Sequence, residues 1–309
     1  LMGIDISKFL AEAKVASDSF TNENSTVVQV ATLLLTHTEQ IVAFSDQGSN
    51  VPGLSDWIEQ LIAESTGKDG VGRLPVVIES EGAEISGNFP LITFKDGTGQ
   101  LSVCGSLAEQ FIFWEWVTAL LGRGLKVDPF NQPNVTEAKE RTVSLLSKWN
   151  GVIQSPTSSF EDENIAVFAD QKCGSLDEAL ARFLAPNYGY LAVMAYLNRE
   201  SDNEILKIRE LIADKTKTPT TFGWGPRFLH STGQFHKGGQ PNGGFLQISA
   251  DSSIDIQVPG KNFSFQTLLM AQALGDGEAL SSRNLPLLRI HLKNRAVGIN
   301  KVLEGIKKL

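Results

Sequence analysis

The chain has 309 residues, 41% hydrophobic and 20% charged, which suits a globular protein with a sizeable core and room for one large domain or two smaller ones. A net charge of −8 and a pI of about 5.1 argue against a nucleic-acid-binding surface, so any anionic ligand needs a local positive site set against an overall negative field. Cys104 and Cys173 lie far apart without C-x-x-C spacing and read as buried free thiols in a reducing, cytoplasmic compartment, with no disulfide framework and no zinc site.

The first segment, "LMGIDISKFLAEAK", lacks the basic, apolar and cleavage regions of a signal peptide and begins as if cut from inside a longer chain. Apolar runs then alternate with amphipathic helical patterns. Strands are expected at Ile41–Ser45, Leu74–Glu79, Leu91–Phe94, Ile165–Ala169, Tyr190–Leu197, Phe245–Ile248 and Leu287–Leu292. Several are almost continuously apolar, as in strands covered on both faces. Helices are expected near 5–16, 25–39, 54–66, 107–121, 135–149, 175–185, 203–215, 265–280 and 294–308, with N-caps at Asn24-Ser25, Ser55-Asp56 and Ser175. The longest apolar run, Phe111–Leu121, is broken by Glu115 and is too short to span a membrane. This alternation predicts an α/β fold layered around a mostly parallel sheet, with ligands at the carboxyl ends of strands. The polar, turn-rich "GVIQSPTSSFEDEN" (151–164) is the best internal joint, either a domain boundary or a surface loop.

Three stretches can carry chemistry. In "LSDWIEQLIAESTGK" (54–68) the helical apolar stripe contains Trp57, Ile58, Leu61 and Ile62, with Glu64 on or beside it and Glu59 pointing elsewhere. Glu64 falls in the last turn before Gly67, where the negative end of the helix dipole and partial desolvation both disfavour its charge. A carboxylate so placed can serve as a general base for a carbon acid, or it is simply a solvated acid at the rim of the stripe. In "DPFNQPNVTEAKERT" (128–142) two prolines and two asparagines form a rigid loop running into a helix N-terminus. Lys139 follows in the first turns, as a reactive amine or an ordinary surface lysine. The third stretch, "FGWGPRFLHSTGQFHKGGQPNGG" (222–244), holds seven glycines with His230 and His236 six apart. Glycines permit close backbone approach and positive φ. No nearby acid completes a metal set, and each histidine is either functional or structural. His37 and His291 lie inside regular patterns and read as structural.

Taken together, these stretches resemble the glucose-6-phosphate isomerase family, in the bacterial type where the isomerase follows a transaldolase in one chain. The likeness rests on "GLSDWIEQLIAESTGKDG" (53–70), "DPFNQPNVTEAK" (128–139), "TTFGWGPRFLHSTGQFHKGG" with "PNGGFLQI" (220–248), and "FSFQTLLMAQALGDGEAL" (263–280). It implies a connecting segment over 1–22 and, over 23–309, the second of the family's two sugar-isomerase (SIS) domains, a flavodoxin-like three-layer α/β sandwich. By position, Glu64 matches the base that moves a proton between C1 and C2, and Gln60 and Gln132 match substrate contacts. Lys139 matches a lysine that assists ring opening, and His236 matches the ring-opening histidine, with His230 competing for that role. The resemblance implies interconversion of glucose 6-phosphate and fructose 6-phosphate through a cis-enediolate, without metal or organic cofactor, in a homodimer with shared active sites. The chain departs from the family in two ways. The usual "NPFDQP" is here "DPFNQP", and the family's Ser/Thr-rich phosphate loop and "GGR-S" motif are absent, so the chain is expected to be part of the complete enzyme and to show little or no isomerase activity alone. The rival expectation is a non-catalytic sugar-phosphate-binding module of the same fold.

Overall fold

The computed structural model describes residues 3–78, 87, 89–154 and 156–309. It is an α/β protein whose strands are mostly parallel. The chain divides into two compact units, one formed mainly by residues up to Gln132 together with Gly238–Gln240, the other by Pro133–Lys237 and Pro241–Leu309. The division thus falls between the two prolines of "DPFNQP", and the polar 151–164 stretch lies inside the second unit, where it leads into a strand pair. Of the sequence expectations, Leu1 and Met2, the last strand residue Glu79, and Ser155 in the joint lie outside the described residues.

The first unit contains α1 (Ile6–Ser19), α2 (Thr26–Thr36), β1 (Ile41–Phe44), α3 (Leu54–Thr66), β2 (Leu74–Val77), β3 (Leu91–Phe94), β4 (Leu101–Val103) and α4 (Leu107–Leu125). Its four strands are all parallel, in the order β2-β1-β3-β4. Alternate residues Val42, Phe44, Ile92 and Phe94 point into one core with Leu34, Ile58, Ile62, Trp114 and Leu121 from the helices, as the two-residue period of a strand dictates. α1, expected within a connecting segment, packs on α4: Phe9 meets Phe111 edge-on at 6.0 Å, and Trp116 Nε1 donates to Ser17 Oγ at 3.2 Å. α3 starts differently from the expected Ser55-Asp56 cap. Gly53 is the N-cap residue at φ +84°, and Asp46, just after β1, accepts the Gly53 and Ser55 amides at 2.6 and 2.8 Å. A carboxylate from a distant loop therefore does the work of a local cap and fixes the entry to α3.

The second unit contains α5 (Pro133–Trp149), β5 (Phe160–Glu161), β6 (Ile165–Phe168), α6 (Leu176–Leu184), β7 (Tyr190–Tyr196), α7 (Lys207–Thr216), β8 (Thr220–Trp224), α8 (Thr232–Gly238), β9 (Gly243–Ala250), α9 (Phe265–Ser281), β10 (Leu287–Leu292) and α10 (Arg295–Lys308). Short 3-10 turns occupy Asn203–Leu206 and Arg227–His230. The six strands run β5-β6-β10-β9-β7-β8, with β5 and β6 an antiparallel margin on a parallel sheet. α6, α7 and α10 cover one face through Leu180, Ile208, Ile212 and Val302. On the other, Gln247 of β9 donates to the Ala273 carbonyl of α9 at 2.9 Å, and α9 packs on α5 through Leu145, Trp149, Met270 and Leu274. This unit is a three-layer sandwich, with helices on both faces of its sheet. Its Cys173 is half-buried and Cys104 of the first unit is exposed, so neither is the fully buried thiol expected from the sequence. Glu137 of α5 clamps α9 by accepting Arg283 Nη2 at 2.5 Å, and it also accepts Arg141 at 2.9 Å.

Candidate functional site

In the first unit the last turn of α3 gathers polar groups. The face it buries carries Ile58, Glu59, Ile62 and Ala63, while Trp57 and Leu61 are only half-buried. The buried stripe is therefore turned from the one the sequence suggests, and Glu59 is on it. Glu64 is half-buried, and Gln60, one turn earlier, donates its amide to Glu64 Oε2 at 3.5 Å. Four residues on, Lys68 is buried and its ammonium donates to the carbonyls of Ser65 (2.9 Å) and Asp128 (2.6 Å). Burial pulls the Lys68 amine below the usual lysine range, while the charges of Asp128, Glu64 and Asp69 act the other way.

The Asp128 carbonyl begins the loop that carries Gln132, so one ammonium ties the turn bearing Gln60 and Glu64 to that loop, 60 residues away in sequence. The loop is itself braced by Asp128. Its carboxylate accepts the Phe130 amide at 2.9 Å and the Asn131 side-chain amide at 3.1 Å, which leaves Phe130 85% exposed and Gln132 exposed. The Asp/Asn exchange in "DPFNQP" therefore falls on two residues bonded to each other. One supplies the acceptor and the other the donor, so the moved charge stays inside one hydrogen-bonded couple. Lys68 is the residue that sequence reasoning missed. Its signal was present in "ESTGK", one helical turn after Glu64.

The second unit places Lys139 and the histidines. Lys139 is an exposed residue of α5 lining a cleft of about 330 Å³ with His230 and Gln272, between apolar walls that include Val135, Leu146, Leu229 and Leu268. His230, also exposed, ends the 3-10 turn after β8.

His236 does not line that cleft. It is 4% exposed, stacked on Tyr190 at 5.7 Å and flanked by Phe228 and Phe245, with Nδ1 3.1 Å from the Tyr190 hydroxyl. Burial drives its imidazole well below the ordinary histidine range, and the adjacent Lys237 charge adds to the effect, so the ring is neutral. Lys237 in turn forms a buried ion pair with Asp276 at 2.6 Å, each side chain 1% exposed. His236 is thus a core histidine. The reason is α8, whose residues Thr232–Lys237 are all buried.

The glycines around it have an equally structural role. None described between 222 and 244 has positive φ. A Cβ on Gly225 would lie 2.6 Å from the Tyr196 ring and one on Gly243 2.5 Å from the Tyr190 ring. They make room for aromatic rings. The stretch forms β8, a 3-10 turn, α8 and the start of β9.

Among the described residues no group of three or more His, Cys, Asp and Glu side chains is arranged to hold a metal ion, and no helix is long and apolar enough to cross a membrane. No protein-family model matches the chain, and no curated protein matches it. Solved structures similar to it include a hypothetical protein from Thermus thermophilus, at 12% identity and TM-score 0.38, with 97% of this chain and 86% of that one covered. A candidate phosphosugar isomerase from Clostridium difficile 630 is similar at 10% identity and TM-score 0.26, with 92% and 94% covered. The C-terminal domain of glucosamine-fructose-6-phosphate aminotransferase from Francisella tularensis is similar at 7% identity and TM-score 0.25, with 98% and 94% covered. At such scores these likenesses carry no weight for the chemistry below.

Proposed function

We propose that the chain carries the proton-transfer machinery of an aldose–ketose isomerase acting on a sugar phosphate, with glucose 6-phosphate and fructose 6-phosphate as the pair of substrates. The observation that carries this reading is the Lys68 tether, which fixes the Gln60–Glu64 turn and the Gln132 loop to one another within a single unit. In this reading the Glu64 carboxylate takes the proton from C2 of the open-chain aldose and returns it to C1 on the same face, while the hydroxyl proton on O2 passes to O1. That gives a cis-enediolate and then the ketose. Gln60, bonded to Glu64, orients the carboxylate, and the exposed Gln132 offers an amide to substrate hydroxyls. Lys68 is a positioning residue whose fixed charge also opposes the negative charge that develops on the enediolate. Ring opening falls to Lys139 and His230, which share a cleft and are both exposed. His236 is replaced in that role because its neutral ring is enclosed by aromatics.

The deciding experiment follows exchange of a deuterium label at C2 of the sugar phosphate into solvent. In an enzyme completed by the phosphate loop and "GGR-S" motif, the wild type is expected to wash the label out, and Glu64→Gln to slow the washout by orders of magnitude while the sugar phosphate still binds. Binding with full retention of the label by the wild type would make the protein a sugar-phosphate-binding module and end the isomerase reading. An active Glu64→Gln variant would remove Glu64 from the role. For ring opening, His230→Ala is expected to slow reaction of the cyclic sugar more than of an open-chain analogue, with His236→Ala losing stability instead. The opposite ranking would return the role to His236.

A further inference from the structure

One guanidinium of the second unit lacks a hydrogen-bonded partner among the described residues. Arg289, in the middle of β10, is half-buried, and its Cζ sits 4.9 Å over the ring of Phe168 on the neighbouring strand. Among the described residues it makes no hydrogen bond or ion pair, and Glu278 acts on it only through longer-range charge. Burial pulls the guanidinium below its usual value, though not so far as to discharge it. Half-buried arginines are normally matched by a carboxylate or a carbonyl, because an unpaired charge removed from water is costly. This one faces a small cavity of about 20 Å³, shared with Ser249 and His291 and walled by Phe168, Met270, Leu274 and Pro156.

The polar row is set by register. Arg289 and His291 lie on one face of β10, opposite Gln247 and Ser249 of β9. Most of the row is already committed. Gln247 donates to the Ala273 carbonyl, Ser249 Oγ lies 2.9 Å from His291 Nδ1, and His291 Nε2 lies 3.1 Å from Asp251. With His291 Nε2–H given to Asp251, Nδ1 takes the Ser249 hydroxyl hydrogen, so what remains is a cationic planar fork facing a space the size of one solvent molecule. A phosphate or a carboxylate-bearing metabolite is too large for it. A water molecule fits but leaves the charge unmatched.

We propose that this cavity binds a single small monovalent inorganic anion of chloride size, held by the Arg289 guanidinium. The site lies wholly within the second unit and is independent of the isomerase reading. It also gives a protein of net charge −8 a local reason to retain an anion.

The test uses the whole chain and halide salts. Thermal unfolding is measured at constant ionic strength while sodium gluconate is exchanged for sodium chloride or bromide. The melting temperature of the wild type is expected to rise saturably with halide, as for any ligand that binds only the folded state. Arg289→Gln is expected to weaken the apparent affinity by about tenfold or more, with Arg289→Lys retaining part of it. Because Arg289→Gln alters packing on Phe168, crystals of the wild type grown in bromide give a second reading. An anomalous peak within hydrogen-bonding reach of Arg289 supports the site, and ordinary water there overturns it. Equal melting curves in gluconate and halide, or an unchanged halide response in Arg289→Gln, would also overturn it.

Discussion

The last turn of α3 keeps Gln60 and Glu64 half-buried beside a tethering ammonium, whereas α8 gives every one of its polar side chains to the core. Both regions hold a titratable group and a lysine within one or four residues of it. In α3 the lysine donates to carbonyl oxygens, and the carboxylate stays partly exposed. In α8 the lysine is matched by Asp276 and the histidine by Tyr190, so the donors and acceptors there are used internally. The difference teaches that polar content marks a reacting site only where the fold keeps some of it within reach of solvent. Substitutions in α8 should act on stability, and substitutions at the α3 turn on turnover.

The sharpest way to break this comparison is Lys237→Met, which strands the buried Asp276 carboxylate. A loss of about 3–5 kcal/mol in urea unfolding is expected, and a loss below about 1 kcal/mol would contradict the buried pair. Next comes His236. Its folded-state pKa lies below the value of about 6.5 for an unfolded histidine, so the unfolded chain takes up the proton first as pH falls. The stability that His236 confers is complete above that value. It declines as pH drops from there towards the folded pKa. Replacing His236 by Phe should flatten this part of the stability–pH curve, and an unchanged slope would show that another group is responsible.

Lys68→Met is expected to cost less stability, about 1–3 kcal/mol for two charge-assisted hydrogen bonds. Its mark should instead be a fall in kcat larger than any rise in KM, since a loosened turn misplaces the base. Loss of stability alone, with kcat intact, would reduce Lys68 to a structural tie. The smallest effect is assigned to the double exchange Asp128→Asn with Asn131→Asp, which gives the order of the family that the sequence resembles. Stability should change by no more than about 0.5 kcal/mol, because donor and acceptor merely trade places. Asp128→Ala alone should cost about 1 kcal/mol, since the Phe130 amide loses its acceptor.

Much of the fold was legible where pattern and burial agree. α3 matches its expected bounds, and β3 does too, because a stripe or an apolar run is packed as the period demands. β4, β5 and β8 were not foreseen. The first two are only three and two residues long, and β8 is masked by the glycines and threonines around Trp224. α8 was missed for a related reason: at seven residues with a glycine at position 233, its stability comes from tertiary contacts that propensity does not record. At the candidate site, helix position singled out Glu64 and the family resemblance pointed to Gln60, but the tether from Lys68 joins residues 60 apart and no local pattern encodes it. The letters alone do not separate glycines that accommodate aromatic rings, as around the buried His236, from glycines that approach a ligand.

The hydrogen-bonded couple of Asp128 and Asn131 also bears on how such chains drift and how they are found. Two mutations that each look like the loss of a signature residue can together be silent, since selection sees the bond and not the order of its ends. A search pattern that insists on acid at the fourth letter of that hexapeptide would discard descendants whose acid has migrated to the first. Written as one acid and one amide in either order, the same pattern would retain them.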